Sequence, residues 1–204
     1  MSDLGYSNKN QSRINISLNS LDEYVHDLSE AIHQKEPAYE QIGVKVDGKY
    51  RQLNANLLQI ENEYYSSIRP KRVARSGEQP TAALRRDGIE YVEVRSLDIN
   101  VFDPSGINQN TMRFLEAFLI YCLLEDSPGI DEDEFDDIRH NHTGTATHGR
   151  DPDFRLRRAG REVPLQIWAT EILEKVLKRK GLDSQAYKNA ADAIAGVTNK
   201  DSSS

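Results

Sequence analysis

The segment Ile89-Glu-Tyr-Val-Glu-Val-Arg-Ser-Leu97 constrains the chain more than any other stretch. Its β-branched content and two-residue alternation predict an extended strand, because successive side chains in a strand point to opposite faces. Tyr91, Glu93 and Arg95 then share one face, while Val92 and Val94 share the other and suit a core. A carboxylate and a guanidinium two positions apart lie about 7 Å from each other, too far for a tight pair and well placed to hold a third party. A Mg²⁺ ion with phosphate oxygens would suit, the carboxylate supplying a hard ligand and the planar guanidinium gripping a phosphoryl group. A solvent-exposed strand with an ordinary cross-strand ion pair satisfies the same pattern.

The rest of the chain reads as α+β, with strands first and helices afterwards. Ser20-Leu-Asp-Glu23 is a capping box ahead of apolar residues at Leu21, Val25, Leu28 and Ile32, which predicts a helix ending at Pro37. Asp47-Gly48, between Val44-Lys-Val46 and Lys49-Tyr-Arg51, predicts a tight hairpin, since both turn positions need φ > 0. Leu57 to Ser66 reads as a further strand and Thr81 to Arg86 as a short helix. A helix follows from about Asn108 to Leu124, with Phe114, Phe118 and Tyr121 on one stripe, and no strand is expected beyond it. Residues 126–162 carry an acidic run, then His and Gly, then a basic run. Helices are expected over Pro164 to Lys180, stopping before Gly181, and over Ser184 to Ala195. The divisions are a sheet region with one helix and a hairpin over 1–107, a helical region over 108–198 and a disordered tail over 199–204.

Composition narrows the function classes. The 204 residues include 37% hydrophobic and 29% charged ones. Exchanging Tyr for Gly in that count gives about 38% apolar residues, against roughly 45–50% for an ordinary globular domain. The core is thin for the length, so part of the chain is loop or buries its apolar face against polypeptide beyond these residues. The longest apolar run, Phe114 to Leu124, is too short for a bilayer and reads as a buried helix. The single cysteine, Cys122, falls inside it and reads as a buried structural thiol. With no apolar core for a signal peptide near Met1, a cytoplasmic setting is expected. A net charge of −7 argues against nucleic acid as partner.

Three further constellations could carry chemistry. Glu61-Asn-Glu63-Tyr-Tyr65-Ser-Ser-Ile-Arg69-Pro-Lys-Arg72 gathers carboxylates, an amide, phenols and cations that can bind an amino acid, a metal or a phosphate, or form a solvated charged turn. Arg75-Ser-Gly77-Glu78 could extend a phosphate cradle through backbone N–H groups. His140, His142 and His148 have metal-like density without a cysteine among them, and an exposed flexible loop is the plainer reading. The acidic run from Asp131 to Asp137 reads as a solvated stretch.

Two of these motifs, Gln59-Ile-Glu61-Asn-Glu63-Tyr-Tyr65-Ser-Ser-Ile-Arg69-Pro-Lys-Arg72 and Gly88-Ile-Glu-Tyr-Val-Glu93-Val-Arg95-Ser-Leu-Asp-Ile-Asn100, resemble bacterial glutamate-cysteine ligase of the proteobacterial type. The resemblance extends to the segment around Tyr6 and to Arg113-Phe-Leu, covering about residues 1–125, with fragments such as Gly149-Arg-Asp-Pro152 beyond. It implies the first step of glutathione synthesis, in which ATP phosphorylates the side-chain carboxylate of L-glutamate and the amine of L-cysteine displaces phosphate from γ-glutamyl phosphate. It also implies a glutamine synthetase-like fold with an antiparallel sheet. On this likeness Glu93 is a Mg²⁺ ligand and Arg95 contacts the transferring phosphoryl group. Tyr6 and Tyr65 line the cysteine pocket and Asn62 contacts substrate, while Arg69 and Arg72 fall in the matching motif as phosphate or nucleotide candidates. Family members are much longer, and the part these residues do not match carries most of the acidic metal ligands. A fragment is therefore expected, inactive alone and able to pair with the missing N-terminal half. The competing reading is a non-catalytic binding or assembly module derived from the same fold.

Overall fold

The computed structural model describes residues 14–178. Tyr6, the helix expected over 184–195 and the tail lie outside the described residues. The described residues divide into two compact units, 14–97 and 98–178. Among the described residues, helices combine with three separate two-stranded antiparallel sheets, so the class is α+β. Among the described residues no helix is long and apolar enough to cross a membrane.

In the first unit, helix α1 (Leu21–His33) opens on the expected cap: the Ser20 hydroxyl accepts the Glu23 N–H at 3.1 Å and donates to the Glu23 carboxylate at 3.2 Å. Its apolar face carries Tyr24, Val25, Leu28 and Ala31 into a core shared with Ile16, Leu58 and Leu84. Pro37 does not end this helix. It takes the first position of a second, α2 (Pro37–Ile42), where its missing N–H costs nothing. The hairpin β1 (Lys45–Val46) and β2 (Lys49–Tyr50) turns on Asp47 and Gly48, both at positive φ, as the sequence predicts.

The strand expected over Leu57–Ser66 is not formed. A helix leaves its last carbonyls without partners, and here the Leu57 N–H donates to Gln34 O at 2.7 Å, the Leu58 N–H to Ala31 O at 3.1 Å and the Asn56 side chain to Ile32 O at 2.6 Å. Backbone groups used to close α1 cannot join a ladder. The segment holds a single 3₁₀ turn over Glu61–Glu63. Strand β3 (Ile68–Lys71), helix α3 (Pro80–Asp87) and strand β4 (Tyr91–Val94) follow, with Arg69 opposite Glu93 and Lys71 opposite Tyr91 in the β3–β4 ribbon. The valine face is not the core that alternation predicts. Val92 is 43% exposed, because the ribbon has two strands and its packed side is the one bearing Arg69.

In the second unit, Asn108 caps helix α4 (Gln109–Leu124), accepting the Thr111 N–H at 2.8 Å. Ala117 and Tyr121 pack on Val176 of helix α6 (Leu165–Lys178), and Phe114, Phe118 and Tyr121 form the expected stripe. The helix is not buried all round, however. Leu123 is 83% exposed, and Cys122 is exposed as well, because α4 is covered on one side only. The native chain is accordingly expected to react with an aromatic disulfide reagent to one equivalent of thiol; a reaction that needs denaturant would restore Cys122 to a core.

Residues 126–162, where no strand is expected, hold a helix and a hairpin. Asp131 caps α5 (Glu132–His148) by accepting the Glu134 N–H at 2.9 Å, so part of the acidic run is a cap and a first turn matched to the helix dipole. Strands β5 (Arg155–Arg158) and β6 (Arg161–Pro164) turn on Ala159 and Gly160, at φ 48 and 71. The Asn141 side-chain amide donates to Arg157 O at 2.6 Å and accepts the Arg157 N–H at 2.7 Å, and Gly144 leaves room for the Phe154 ring. Alanine at positive φ is strained, whereas asparagine enters that region readily. Ala159→Asn, at an exposed position, is expected to raise stability by about 0.5–1 kcal/mol in urea unfolding, and Ala159→Val to lower it.

Candidate functional site

Glu93 and Arg95 share a face of the β4 strand and its continuation, where the Arg95 N–H still donates to Ser67 O at 2.8 Å. Neither points into an apolar interior. The Glu93 side chain is 42% exposed and its carboxylate lies 4.0 Å from the Lys71 ammonium. The Arg95 guanidinium lies over the Tyr65 ring, 4.9 Å from its centre, a contact that restricts its freedom. Lys71 has no distinguishing signal in the sequence; the register of the ribbon brings it to Glu93. Asn62 is exposed on the 3₁₀ turn, and Tyr6 lies outside the described residues.

The arginines of the β3 motif are used differently. Arg69 is 6% exposed, lining with Tyr24, Glu61 and Thr81 a small, partly open cavity of about 10 Å³, close to the size of one water molecule, and its Nε has no hydrogen-bond partner. Arg72 donates from Nε to Gly88 O at 2.5 Å and faces Glu90 at 3.9 Å, which ties the start of the α3 connection to its end. Glu61, 4% exposed, is neither a surface ligand nor part of a solvated turn. It accepts the Thr81 N–H at 2.8 Å and the Thr81 hydroxyl at 2.5 Å, serving as a remote cap for α3, whose own N-cap Gln79 supplies no side-chain bond.

Burial raises the phenols beside this network. Tyr64 is pushed from an ordinary 10.0 to about 12 by desolvation and then by Tyr24, with Arg69 opposing, and Tyr24 is raised mainly by its burial. A folded-state value above the unfolded one means that the stability tied to neutral Tyr64 is complete below about pH 10 and lost as pH rises through about 12. Melting temperature and tyrosinate absorbance followed together are expected to change in that window. Tyr64→Phe, which cannot ionise there, is expected to flatten the loss.

The other constellations resolve without a ligand set. At Arg75–Glu78 the Glu78 carboxylate accepts the Arg75 N–H at 2.8 Å and pairs with Arg86 at 3.0 Å, so an acid occupies the place a phosphate would take. These two partners hold Glu78 below the usual carboxylate range, the Arg86 hydrogen bond first. His140, His142 and His148 stand on α5, not on a loop; His140 and His148 border an open cleft of about 600 Å³ with Phe154 and Arg157. Among the described residues no three His, Cys, Asp or Glu side chains converge as a metal group. A dedicated metal cage is therefore not built by them. Glu93, one half-exposed carboxylate, fits Mg²⁺ as that ion is held beside nucleotides, where one or two carboxylates are completed by phosphate oxygens and water.

Comparison with known proteins bears on this geometry. A family profile described as glutamate-cysteine ligase matches residues 1–145. A glutamate-cysteine ligase of Alcanivorax borkumensis is 50% identical over 202 residues, covering 96% of this chain and 38% of its own length. One from Shewanella amazonensis is 48% identical over 195 residues, again 96% of this chain and 37% of the relative. The crystal structure of Francisella tularensis glutamate-cysteine ligase in complex with AMP superposes with a TM-score of 0.90 at 35% identity, covering 99% of this chain and 41% of that one. The likeness thus runs well past residue 125, where the motifs thin out. The chain spans about two fifths of the length of the relatives it matches.

Proposed function

Since the chain belongs to the glutamate-cysteine ligase family, we propose that it forms part of the active site of an ATP-dependent ligase joining L-glutamate to L-cysteine through γ-glutamyl phosphate. The observation that carries this reading is the β4 face, where a half-exposed Glu93 and an Arg95 fixed over Tyr65 stand two positions apart. Transfer of a phosphoryl group asks for positioning and charge neutralisation more than for covalent help. Arg95 is the residue whose fork would meet the charge that builds on the transferring group. Glu93 would hold Mg²⁺, which supplies neutralisation of the nucleotide phosphates. Tyr65, besides supporting Arg95, would border the cysteine site with Tyr6, and Asn62 would contact substrate. The name of the Francisella structure, a complex with AMP, supports a nucleotide as ligand.

A glutamine synthetase-like architecture and a cytoplasmic setting belong to the same reading. The remaining three fifths of a ligase would supply further sheet, further carboxylates and the rest of both substrate sites. On that basis residues 1–204 alone are expected to make no γ-glutamylcysteine and to gain activity when a segment supplying the remaining length is co-expressed. A thermal melt of the chain with and without Mg-ATP is the first test, with a rise in melting temperature expected. Absence of any rise, together with failed complementation, would favour a binding or assembly module that has kept the fold without the chemistry.

A further inference from the structure

Arg69, Lys71 and Arg72 lie within four residues, and the structure separates their uses. The Arg69 head is enclosed beside Tyr24, and Arg72 is committed to Gly88 O and Glu90. Lys71 lies two positions from Arg69 and therefore on the Glu93 face, diagonal to Glu93 across the ribbon. Its side chain is 26% exposed and its only described ionic contact is with Glu93, at 4.0 Å. A loose, partly exposed pair of this kind holds its members weakly. The ammonium sits on a flexible four-carbon stem with three donors, so it can leave the carboxylate without moving the strand.

The geometry points to Lys71 as a further phosphate-binding residue of the proposed nucleotide site. With no nucleotide present, the ammonium neutralises Glu93. When Glu93 is engaged by the nucleotide's divalent cation, like charge disfavours the ammonium there, and it turns to a β- or γ-phosphate oxygen. Arg95, stacked on Tyr65, remains fixed. The face would then offer one rigid cation and one movable cation to either side of a single carboxylate, a division of labour that the residue types favour. This inference rests on the nucleotide reading above.

The test compares the chain with Lys71→Met and Lys71→Arg, measuring Mg-ATP and AMP binding by calorimetry, with the Lys71 side-chain signal followed by ¹³C NMR and assigned by its loss in the variants. Lys71→Met is expected to weaken Mg-ATP binding about 10-fold or more, the loss of one charge-assisted bond. Lys71→Arg should recover part of it. AMP, lacking the β and γ phosphates, should bind all three alike, and the wild-type Lys71 signal should shift with Mg-ATP but not with AMP. Equal Mg-ATP affinity in the wild-type chain and Lys71→Met overturns the role of Lys71 and leaves the nucleotide reading standing. No Mg-ATP binding by the wild-type chain overturns the role of Lys71, and joined with failed complementation it overturns the nucleotide reading as well. Should a variant fail to fold, the wild-type NMR signal decides, and a Lys71 resonance unmoved by bound Mg-ATP overturns the inference.

Discussion

Glu61→Ala is expected to destabilise the first unit by about 2–4 kcal/mol, the cost of leaving two buried donors without their acceptor. Three losses combine. The Thr81 N–H and hydroxyl lose their acceptor, α3 loses the negative charge at its N-terminus, and the Arg69 guanidinium keeps its place in the cavity without the carboxylate that lines it. Domains of this size have only about 5–15 kcal/mol in hand, so the variant should be largely unfolded under mild denaturant. Glu61→Gln keeps one acceptor and the shape, and should cost less, about 1–3 kcal/mol. Urea unfolding followed by circular dichroism measures both. A Glu61→Ala midpoint close to that of the parent would mean that the Thr81 donors find other partners, and the remote cap would lose its standing.

What could be read from the sequence depended on whether the determinant was local. Ser20 with Glu23, Asp47-Gly48 and Asn108 each act within four residues, and the helix and hairpin they announce are formed. Leu57–Ser66 has strand-like residues, but its backbone is claimed by carbonyls of α1 more than twenty positions earlier, a competition no local pattern records. The β5–β6 turn escaped because Ala159 occupies a position where asparagine, aspartate or glycine is the signal. Helix α5 was legible in part: Asp131 followed by Glu134 is a start signal of the same kind as Ser20 and Glu23. Strand alternation brought Glu93 and Arg95 to one face correctly, and the same alternation misassigned Val92, since which face is covered depends on what packs there. The separate fates of Arg69, Lys71 and Arg72 follow from the ribbon's register and from α1 and α3 beside it. Residue type alone does not distinguish them.

In a ligase assembled from this chain and a co-expressed complementary segment, Arg95→Lys is expected to lower kcat by about 10²–10³-fold, with a smaller effect on the KM for glutamate. Lysine keeps the charge, so bulk attraction for the nucleotide survives. It loses the planar fork that Tyr65 supports at 4.9 Å, so donors no longer wait where charge develops during transfer. Glu93→Gln should fail in another way. A neutral amide is a weaker ligand for a hard cation, so the variant should demand more Mg²⁺, and raising the metal concentration should restore part of its rate. Excess metal should do nothing for Arg95→Lys. The two variants are thus separated by a single Mg²⁺ titration of kcat. Parental rates from either would remove that residue from the site, and equal rescue of both by metal would mean that Arg95 acts through nucleotide affinity and not on the transferring group.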